Sequence, residues 1–459
     1  MDMATAVTWG FNEFGDASLG DTRRGKRAAK IAAGLICDVG SAISSSCGGN
    51  GAQAVSRLFN CKDVDEKSIL SSHTVKTAER CSKHNGRILV AQDTTVLDFS
   101  SRTNLYGLGP TGTGGGYGIM MHSAFVMNEQ KLPLGILGLR LWCRDGSNVG
   151  IRKTRSKRNI MEKESAKWIW GLEQVNKQLS GLDKEVVLIG DRESDIYELF
   201  CADRASNVHL LVRMTENRVI SVDGEVSKIY DALDSSCVLG CYAFDLPDGS
   251  RTATLEVRSC KVSVPAPTNR RTITSKVVEM WAVEIREVDA PDGVEPLHWR
   301  LLTTLDAGSY ESCIYIAGCY SARWGIEEFH RVLKTGCGVE RLQFENFIRL
   351  RPAIAMLSVI AQQVMYPTKY SRCYPNAPAD DISNTEEQET VRDWVQLNRF
   401  SDYEINTVAD YVRGIGFIGG FRGRKHDGEP GVKPIWEGLK NLKNLIAGRK
   451  IERYRTARA

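Results

Sequence analysis

The sequence predicts an α/β fold with helical segments on both sides of a core in which strands and helices alternate. Two observations carry this prediction. Short apolar strands at 87–93 and 185–191 are separated by a segment of helical periodicity at 162–179. In addition, 459 residues are too many for one ordinary core, so we expect two to four domains. A content of 42% hydrophobic and 25% charged residues is ordinary for a globular chain.

Basic residues are clustered, and their distribution says more than the net charge of +4. One cluster comprises Arg23, Arg24, Lys26, Arg27 and Lys30; a second comprises Arg152, Lys153, Arg155, Lys157 and Arg158; a third lies toward the C-terminus. A helix capped by Asp21 or Thr22 would carry the first cluster in its first turns. The helix dipole disfavours cations there by a few tenths of a kcal/mol each, so this placement indicates a phosphate partner, although a solvated surface explains any single cluster.

Several classes of protein are excluded by cysteine usage and hydropathy. The 13 cysteines are odd in number and form no CxxC pair, which favours a reduced cytosolic protein over a disulfide scaffold or zinc finger. The N-terminus lacks the apolar stretch of a signal peptide. No apolar run reaches the roughly 18 residues that would span a bilayer. We therefore expect a cytoplasmic protein with no membrane partner.

The order of predicted elements is that of an RNase H-like fold. Strands at 87–93, 117–128 and 134–142 precede the helix at 162–179, the strand at 185–191, a short helix, another strand, a β-rich insertion and one long helix at 311–336. We assign 1–65 to a helical N-terminal domain and 66–372 to the RNase H-like domain, with its insertion at about 214–300. Residues 373–389 have the composition of a linker, and 373–459 complete the chain as linker and helical C-terminal domain.

Two carboxylates follow apolar strands of the predicted sheet. Asp93 and Asp191 each end such a strand, and at this edge of an α/β sheet ligands gather. Two anions a few Å apart are costly unless a cation or a proton compensates them, and Mg²⁺ prefers oxygen ligands. Taken alone, an Asp after a strand is more often a cap or turn former. The pair in this topology favours a metal site.

One face of the predicted long helix is ionic. Its members are Tyr320, Arg323, Glu327 and Lys334. At 100° per residue they fall within about 60° of each other around the helix. A solvated charged face is the ordinary explanation of such a stripe. Apolar Ile326 and Phe329 beside Glu327 instead indicate a packed helix, whose ionic face would meet metal and phosphates.

Five segments resemble the bacterial cut-and-paste DDE transposases, the family typified by the transposon-five transposase. They read LGDTRR, AQDTT, EKESAKW, GDRESDIYEL and YSARWGIEEFHRVLKTG. The YREK signature of that family is matched by the ionic stripe of the long helix. The resemblance extends to GGFRGRKHDGEPGVKPIWEGLKNL near the C-terminus and so covers nearly the whole chain.

This resemblance implies a metal-dependent reaction on DNA. Asp93, Asp191 and Glu327 would be catalytic and would coordinate two Mg²⁺ or Mn²⁺ ions per active site. The reaction would comprise cleavage at transposon ends, hairpin formation and opening, and strand transfer into target DNA. Trp299 would accept a flipped base, unless it is an ordinary strand tryptophan. Further DNA contacts would come from Arg24, Arg27, Arg213, Tyr320, Arg323, Trp324 and Lys334, with Arg57 a weaker candidate.

The implied partners are double-stranded transposon-end DNA, target DNA and a second copy of the chain in a synaptic complex, in the bacterial cytosol close to the nucleoid. The segment 391–455 resembles the family's dimerisation domain. Its apolar residues could equally form a private core; they include Ile415, Phe417, Ile418, Phe421, Trp436 and Leu439. Two alternatives remain open: a DNA-binding transposition inhibitor that does not cut, and a metal-dependent nuclease that does not join. Loss of a catalytic carboxylate would indicate the first, and absence of the YREK face and Trp299 the second.

Overall fold

The computed structural model describes residues 3–46, 51–102, 104–112, 115–146, 160–246, 251–268 and 276–458. The helices are α1 Met3–Phe14, α2 Thr22–Cys37, α3 Ile43–Ser46, α4 Gly51–Phe59, α5 Glu66–Lys83, α6 Ala166–Leu179, α7 Tyr197–Cys201, α8 Ile229–Ser235, α9 Tyr310–Ala322, α10 Trp324–Arg331, α11 Phe347–Cys373, α12 Thr385–Asn398, α13 Val408–Ile418 and α14 Val432–Thr456. The strands are β1 Ile88–Asp98, β2 Gly109–Pro110, β3 Tyr117–Asn128, β4 Pro133–Trp142, β5 Val186–Gly190, β6 Val208–Arg213, β7 Val219–Val222, β8 Glu225–Lys228, β9 Val238–Asp245, β10 Thr252–Val264, β11 Val278–Glu287 and β12 His298–Thr303. The predicted basic cluster at 152–158 lies outside the described residues.

The strands of the described residues form one large mixed sheet. Its main path runs β2-β3-β1-β5-β6-β12-β11-β10-β7-β8, with β4 beside β3 and β9 beside β10. Strands β1, β5 and β6 are parallel, whereas β3 and β12 pair antiparallel with β1 and β6. The predicted β-rich insertion therefore continues the central sheet through β12. The predicted mixed α/β architecture with helices at both ends of the chain is confirmed, and the RNase H-like assignment stays a prediction.

The sheet separates two hydrophobic cores because successive strand residues point to opposite faces. Leu89 and Ala91 of β1 belong to the core shared with α2, α9, α10 and α11. Ile88 and Val90 belong to the core beneath α6 and α7. Asp93 continues the odd-numbered series of β1 and is thereby directed toward α10.

Two sequence predictions around the central elements are wrong in detail. Strand β1 does not end at Asp93 but continues to Asp98, because β3 pairs with it along its whole length. The single long helix is divided into α9 and α10 at Arg323, whose N–H bonds to the carbonyl three residues earlier, and it ends in a π-helical turn, Val332–Gly336. The division coincides with close packing at Gly325, where a Cβ would lie 2.5 Å from Met127 Sδ.

The predicted linker at 373–389 is only partly irregular. Helix α12 begins at Thr385, inside that segment, with a capping box between Asn384 and Glu387. A short 3-10 turn, Ala379–Asp381, precedes it. Polar composition predicted a linker here because capping residues and loop residues are drawn from the same types.

The N-terminal helices are anchored to the core by a buried ionic group between α1 and α5. His73 Nδ1 donates to Glu13 Oε2 over 2.6 Å, and Arg80 Nη1 donates to Glu13 Oε1 over 2.7 Å. Burial lowers the pKa of His73, so its imidazole is neutral at pH 7 and its Nε2 accepts the N–H of Ile136. Burial alone would raise the pKa of Glu13, but His73 and Arg80 lower it to about 2. Arg80 therefore supplies the countercharge.

Glu13→Gln should destabilise the protein by about 3 kcal/mol at pH 7, because the folded-state pKa of about 2 lies well below the usual 4.5. A depressed carboxyl pKa gives stability that is present above pH 4.5 and is lost as pH falls toward 2. Urea unfolding across this pH range should show that the free energies of unfolding of wild type and Glu13→Gln become similar in acid. Glu79→Gln is the control: Glu79 forms an exposed pair with Lys76, so its loss should cost less than about 0.5 kcal/mol. An equal loss from both variants would contradict the assignment.

Candidate active site

The parallel register of β1 and β5 places Asp93 and Asp191 side by side. The last paired residues are Ala91 and Ile189, and each carboxylate lies two positions further along its own strand direction. Adjacent strands are about 4.8 Å apart, so the two side chains leave the same edge of the sheet as neighbours. This adjacency follows from strand pairing, which residue spacing alone does not reveal.

Glu327 and Arg323 of the α9–α10 segment complete the charged group. Arg323 Nη2 donates to Glu327 Oε1 over 2.5 Å. Burial, and then the negative charges of Asp191 and Glu327, raise the pKa of Asp93 to about 6. Burial likewise raises the pKa of Asp191, while the charge of Arg323 opposes the rise at both aspartates. The three predicted carboxylates therefore share one electrostatic environment, with one guanidinium between them.

The donor set suits a hard divalent cation chemically. All three groups are carboxylates, which Mg²⁺ and Mn²⁺ prefer, and burial and then the neighbouring carboxylates raise the pKa of Asp93, a cost of ionisation that a bound cation would offset. Among the described residues, however, no group of three or more His, Cys, Asp or Glu side chains is assembled closely enough to hold a metal ion. Glu327, the predicted third ligand, is paired with Arg323.

Asp191 has a second role, as a cap. Its side chain accepts the N–H of Glu193 over 2.8 Å and begins a 3-10 turn, Arg192–Ser194. Asp191 is therefore a cap, which is the ordinary role of an Asp that follows a strand. Its position beside Asp93 adds the electrostatic role, and the two are compatible because a carboxylate accepts several hydrogen bonds.

Two residues near the carboxylates were given no role in the site from the sequence. Lys167 of α6 is buried, pairs with Glu193 over 2.7 Å, and its charge lowers the pKa of Asp191. His330 of α10 is also buried, with Nδ1 3.9 Å from Asp93 Oδ2 and Nε2 3.2 Å from Ser123 Oγ. Burial lowers the pKa of His330 to about 3, so it is neutral. The only signal for it was its spacing from Glu327, three residues along the same helix.

The predicted base acceptor is half-buried among aromatic rings. Trp299 meets Tyr320 edge-on at a centroid distance of 5.4 Å and Phe244 at 5.8 Å. Arg213 donates to the carbonyl of His298, next to Trp299, over 3.1 Å. The structure thus brings Trp299, Tyr320 and Arg213 into one neighbourhood.

The remaining predicted residues of this helix differ in exposure. Trp324 is 55% exposed on α10. Lys334 is half-buried in the π-helical turn, and its charge reaches His330 and Asp98. The ionic stripe predicted on one straight helix is therefore distributed over three consecutive helical pieces.

The predicted N-terminal contacts lie on α2 and α4. Arg24 Nη1 bonds to the carbonyl of Leu19 and to Asp63 Oδ2. Arg27 lines a shallow groove of about 390 Å³ between the two helices; the other lining residues are Arg23, Lys26, Lys30, Ile31, Gly51 and Ala54. Arg57 is exposed in the last turn of α4. Asp21 caps α2 and pairs with Arg23, which offsets part of the dipole penalty on the cations.

The C-terminal apolar residues mostly form a private core. Ile415, Phe417, Ile418 and Phe421 are buried together with α12 and α14, and Leu439 packs partly against them. Trp436 is buried against the central core, where its ring approaches Gly336. A private core is therefore found for the predicted apolar residues other than Trp436. Ile451 and Tyr454 of α14 remain 57% and 61% exposed.

The N-terminal helices are similar to a known family of domains. A model of the transposase DNA-binding domain matches residues 6–64, which contain α2, α4 and the basic groove. This match supports a transposase that contacts DNA through its N-terminal region. Within the described part of the chain, no helix is both long and apolar enough to cross a membrane.

Asp93→Asn should stabilise the metal-free protein at pH 8 by about 3 kcal/mol, because it removes a buried charge whose pKa is raised from 3.8 to about 6. A raised carboxyl pKa means that stability is lost as pH rises between these values. Thermal unfolding in EDTA at pH 4 and pH 8 measures the effect. Asp98→Asn is the control on the same strand: the pKa of Asp98 is lowered, chiefly by Ser100, so this variant should gain no stability. An Asp93→Asn protein that melts below wild type at pH 8 would contradict the shared electrostatic environment.

Proposed function

We propose that this chain is a DNA transposase that cleaves transposon ends, forms and opens a hairpin, and joins the freed end to target DNA. The observation that carries the proposal is that Asp93 and Asp191 lie side by side at one sheet edge, with the charge of Glu327 acting on Asp93, in a chain whose N-terminus matches a transposase DNA-binding domain. The strand order around β1, with one antiparallel and one parallel neighbour, supports an RNase H-like catalytic domain at 66–372, between an N-terminal domain at 1–65 and a C-terminal domain at 373–459.

Asp93, Asp191 and Glu327 are the residues that would hold two Mg²⁺ or Mn²⁺ ions. When bound, the ions supply activation of water or a 3′-hydroxyl and stabilisation of the leaving oxygen. Arg323 neutralises Glu327 in this structure and is also suited to hold a DNA phosphate, because a guanidinium binds carboxylate and phosphate in the same bidentate manner. Arg213, Tyr320 and Lys334 would hold the phosphates on either side. Trp324, which directly follows Arg323 in the sequence, is an exposed aromatic residue.

The direct test uses linear DNA that carries the chain's own terminal repeats, with Mg²⁺. Strand-transfer products support the proposal. Cuts without joining would indicate a nuclease, and a shifted but uncut band would indicate a DNA-binding inhibitor. Glu327→Gln is the control, because it removes one metal ligand while leaving the N-terminal groove intact. It should bind DNA as wild type does and yield no cleaved product.

Trp299→Ala should leave nicking of the first strand within about twofold of wild type while hairpin formation falls about tenfold or more. Stacking of a flipped base on an aromatic ring contributes roughly 1–3 kcal/mol, and the metal-binding carboxylates are untouched. Single-turnover assays that resolve nicked and hairpin products provide the measurement. Trp299→Phe, which keeps an aromatic face, should retain most hairpin formation. Equal losses in both steps would show that Trp299 serves only to support Tyr320.

Two transposon ends must be held together, so we assign a homodimer to the C-terminal end of α14. Its exposed Ile451 and Tyr454 lie three residues apart on one helix face, whereas the apolar residues of α13 are already buried. A double variant, Ile451→Asp with Tyr454→Asp, should bind single ends normally and lose paired-end complexes. Gel shifts with two DNA lengths detect the mixed complex. Val75→Asp, a substitution at another half-exposed apolar residue on α5, is the control. A mixed complex at wild-type levels would refute this interface.

A further inference from the structure

We propose that His122 is a positioning residue for Asp93. It bonds to Gln92 and Thr94, the residues that precede and follow Asp93 in β1. The proposal rests on the proposed function, since it concerns how a metal-binding carboxylate is held. His122 lies on β3, on the face of the sheet opposite to Asp93, and so would act through the backbone of β1.

The pleat of β1 separates the two faces. Asp93 faces α10, where Ser123 of β3 is its cross-strand partner, while Gln92 and Thr94 face α6. His122 pairs across the strands with Thr94. Its Nδ1 lies 2.9 Å from Thr94 Oγ1, and its Nε2 lies 3.0 Å from Gln92 Oε1. The imidazole of His122 thus bridges Gln92 and Thr94, the two residues that flank Asp93 in β1.

The two bonds use the full hydrogen-bonding capacity of a neutral imidazole. Gln92 Oε1 can only accept, so Nε2 carries the hydrogen and Nδ1 accepts from the hydroxyl of Thr94. Burial and then the nearby charge of Lys167 lower the pKa of His122 well below its usual value. The ring therefore stays neutral with one donor and one acceptor, each satisfied.

Thr94 carries this constraint to the carboxylate itself. Its backbone N–H donates to Asp93 Oδ1 over 2.8 Å, while its hydroxyl is held by His122. A shift of Thr94 would therefore move the hydrogen bond that orients Asp93. Partners of this kind, one step removed from a metal ligand, commonly change metal affinity when they are lost.

Helix α6 packs closely against Gln92 and His122. A Cβ at Gly171 would lie 1.8 Å from Gln92 Oε1, so a larger residue there would displace the Gln92 amide that bonds to His122. Trp168 of α6 meets the His122 ring edge-on at a centroid distance of 4.8 Å. The first turn of α6 also carries Lys167, whose charge acts on Asp191.

A matched pair of substitutions at Thr94 separates positioning from packing. Thr94→Val is nearly isosteric and removes the hydroxyl, whereas Thr94→Ser keeps the hydroxyl and removes a methyl group. We expect Thr94→Val to raise the Mg²⁺ concentration for half-maximal cleavage about tenfold, with Thr94→Ser within about twofold of wild type. Gln92→Met, which removes the other bond at similar length, should behave like Thr94→Val.

A second readout does not depend on activity. Mn²⁺ should raise the melting temperature of wild type and of Thr94→Ser, and at the same concentration it should raise that of Thr94→Val and Gln92→Met clearly less. The melting temperature in EDTA reports packing alone. Variants that melt lower in EDTA but respond to Mn²⁺ and Mg²⁺ as wild type does would overturn the positioning role, as would Thr94→Ser behaving like Thr94→Val.

The wild-type measurements distinguish failure of this inference from failure of the proposed function. A wild-type protein that neither cleaves DNA with Mg²⁺ nor responds thermally to Mn²⁺ would overturn the proposed function and this inference with it. Normal wild-type responses with unchanged variants would overturn the inference alone.

Discussion

The parallel pairing of β1 with β5 is the constraint on which the candidate site depends. It places Asp93 and Asp191 as neighbours at one sheet edge, and the segment around α10 then adds Glu327. Burial, and then the charges of Asp191 and Glu327, make ionisation of Asp93 costly and raise its pKa. Nearby cations offset part of this cost. Arg323 bonds to Glu327, and the positive charge of Lys167 opposes the rise in the pKa of Asp191.

Each face of β1 meets a buried neutral histidine. His330 lies beside Asp93 on the face toward α10, and His122 bonds to the two flanking residues on the face toward α6. Neither ring adds charge, since burial lowers the pKa of both. The two neutral rings contribute hydrogen bonds, whereas the charged residues determine the electrostatic potential at the aspartates. A site of this kind can receive a polyanion only where a cation compensates its carboxylates, and this requirement links the metal hypothesis to DNA as substrate.

Local patterns predicted individual elements well where one physical cause dominated. The apolar segment 117–128 predicted β3 with its observed bounds, and Asp21 is the cap of α2 as its residue type indicated. Predictions failed where a distant partner decided the outcome. The end of β1 is set by the length of β3, and the division at Arg323 accompanies the close contact of Gly325 with Met127. Neither partner is visible within a local window of sequence.

The sequence by itself determined the donor chemistry: two aspartates after apolar strands, a glutamate on an ionic helical face, and a basic N-terminal helix. These depend on residue type and short-range periodicity, which a linear chain displays directly. Only the tertiary structure decided which of those groups share an electrostatic environment and that the apolar residues of α13 are already buried. It also revealed His122, whose role depends on strand register. Register and burial arise from contacts between residues far apart in the chain, and no local pattern encodes them.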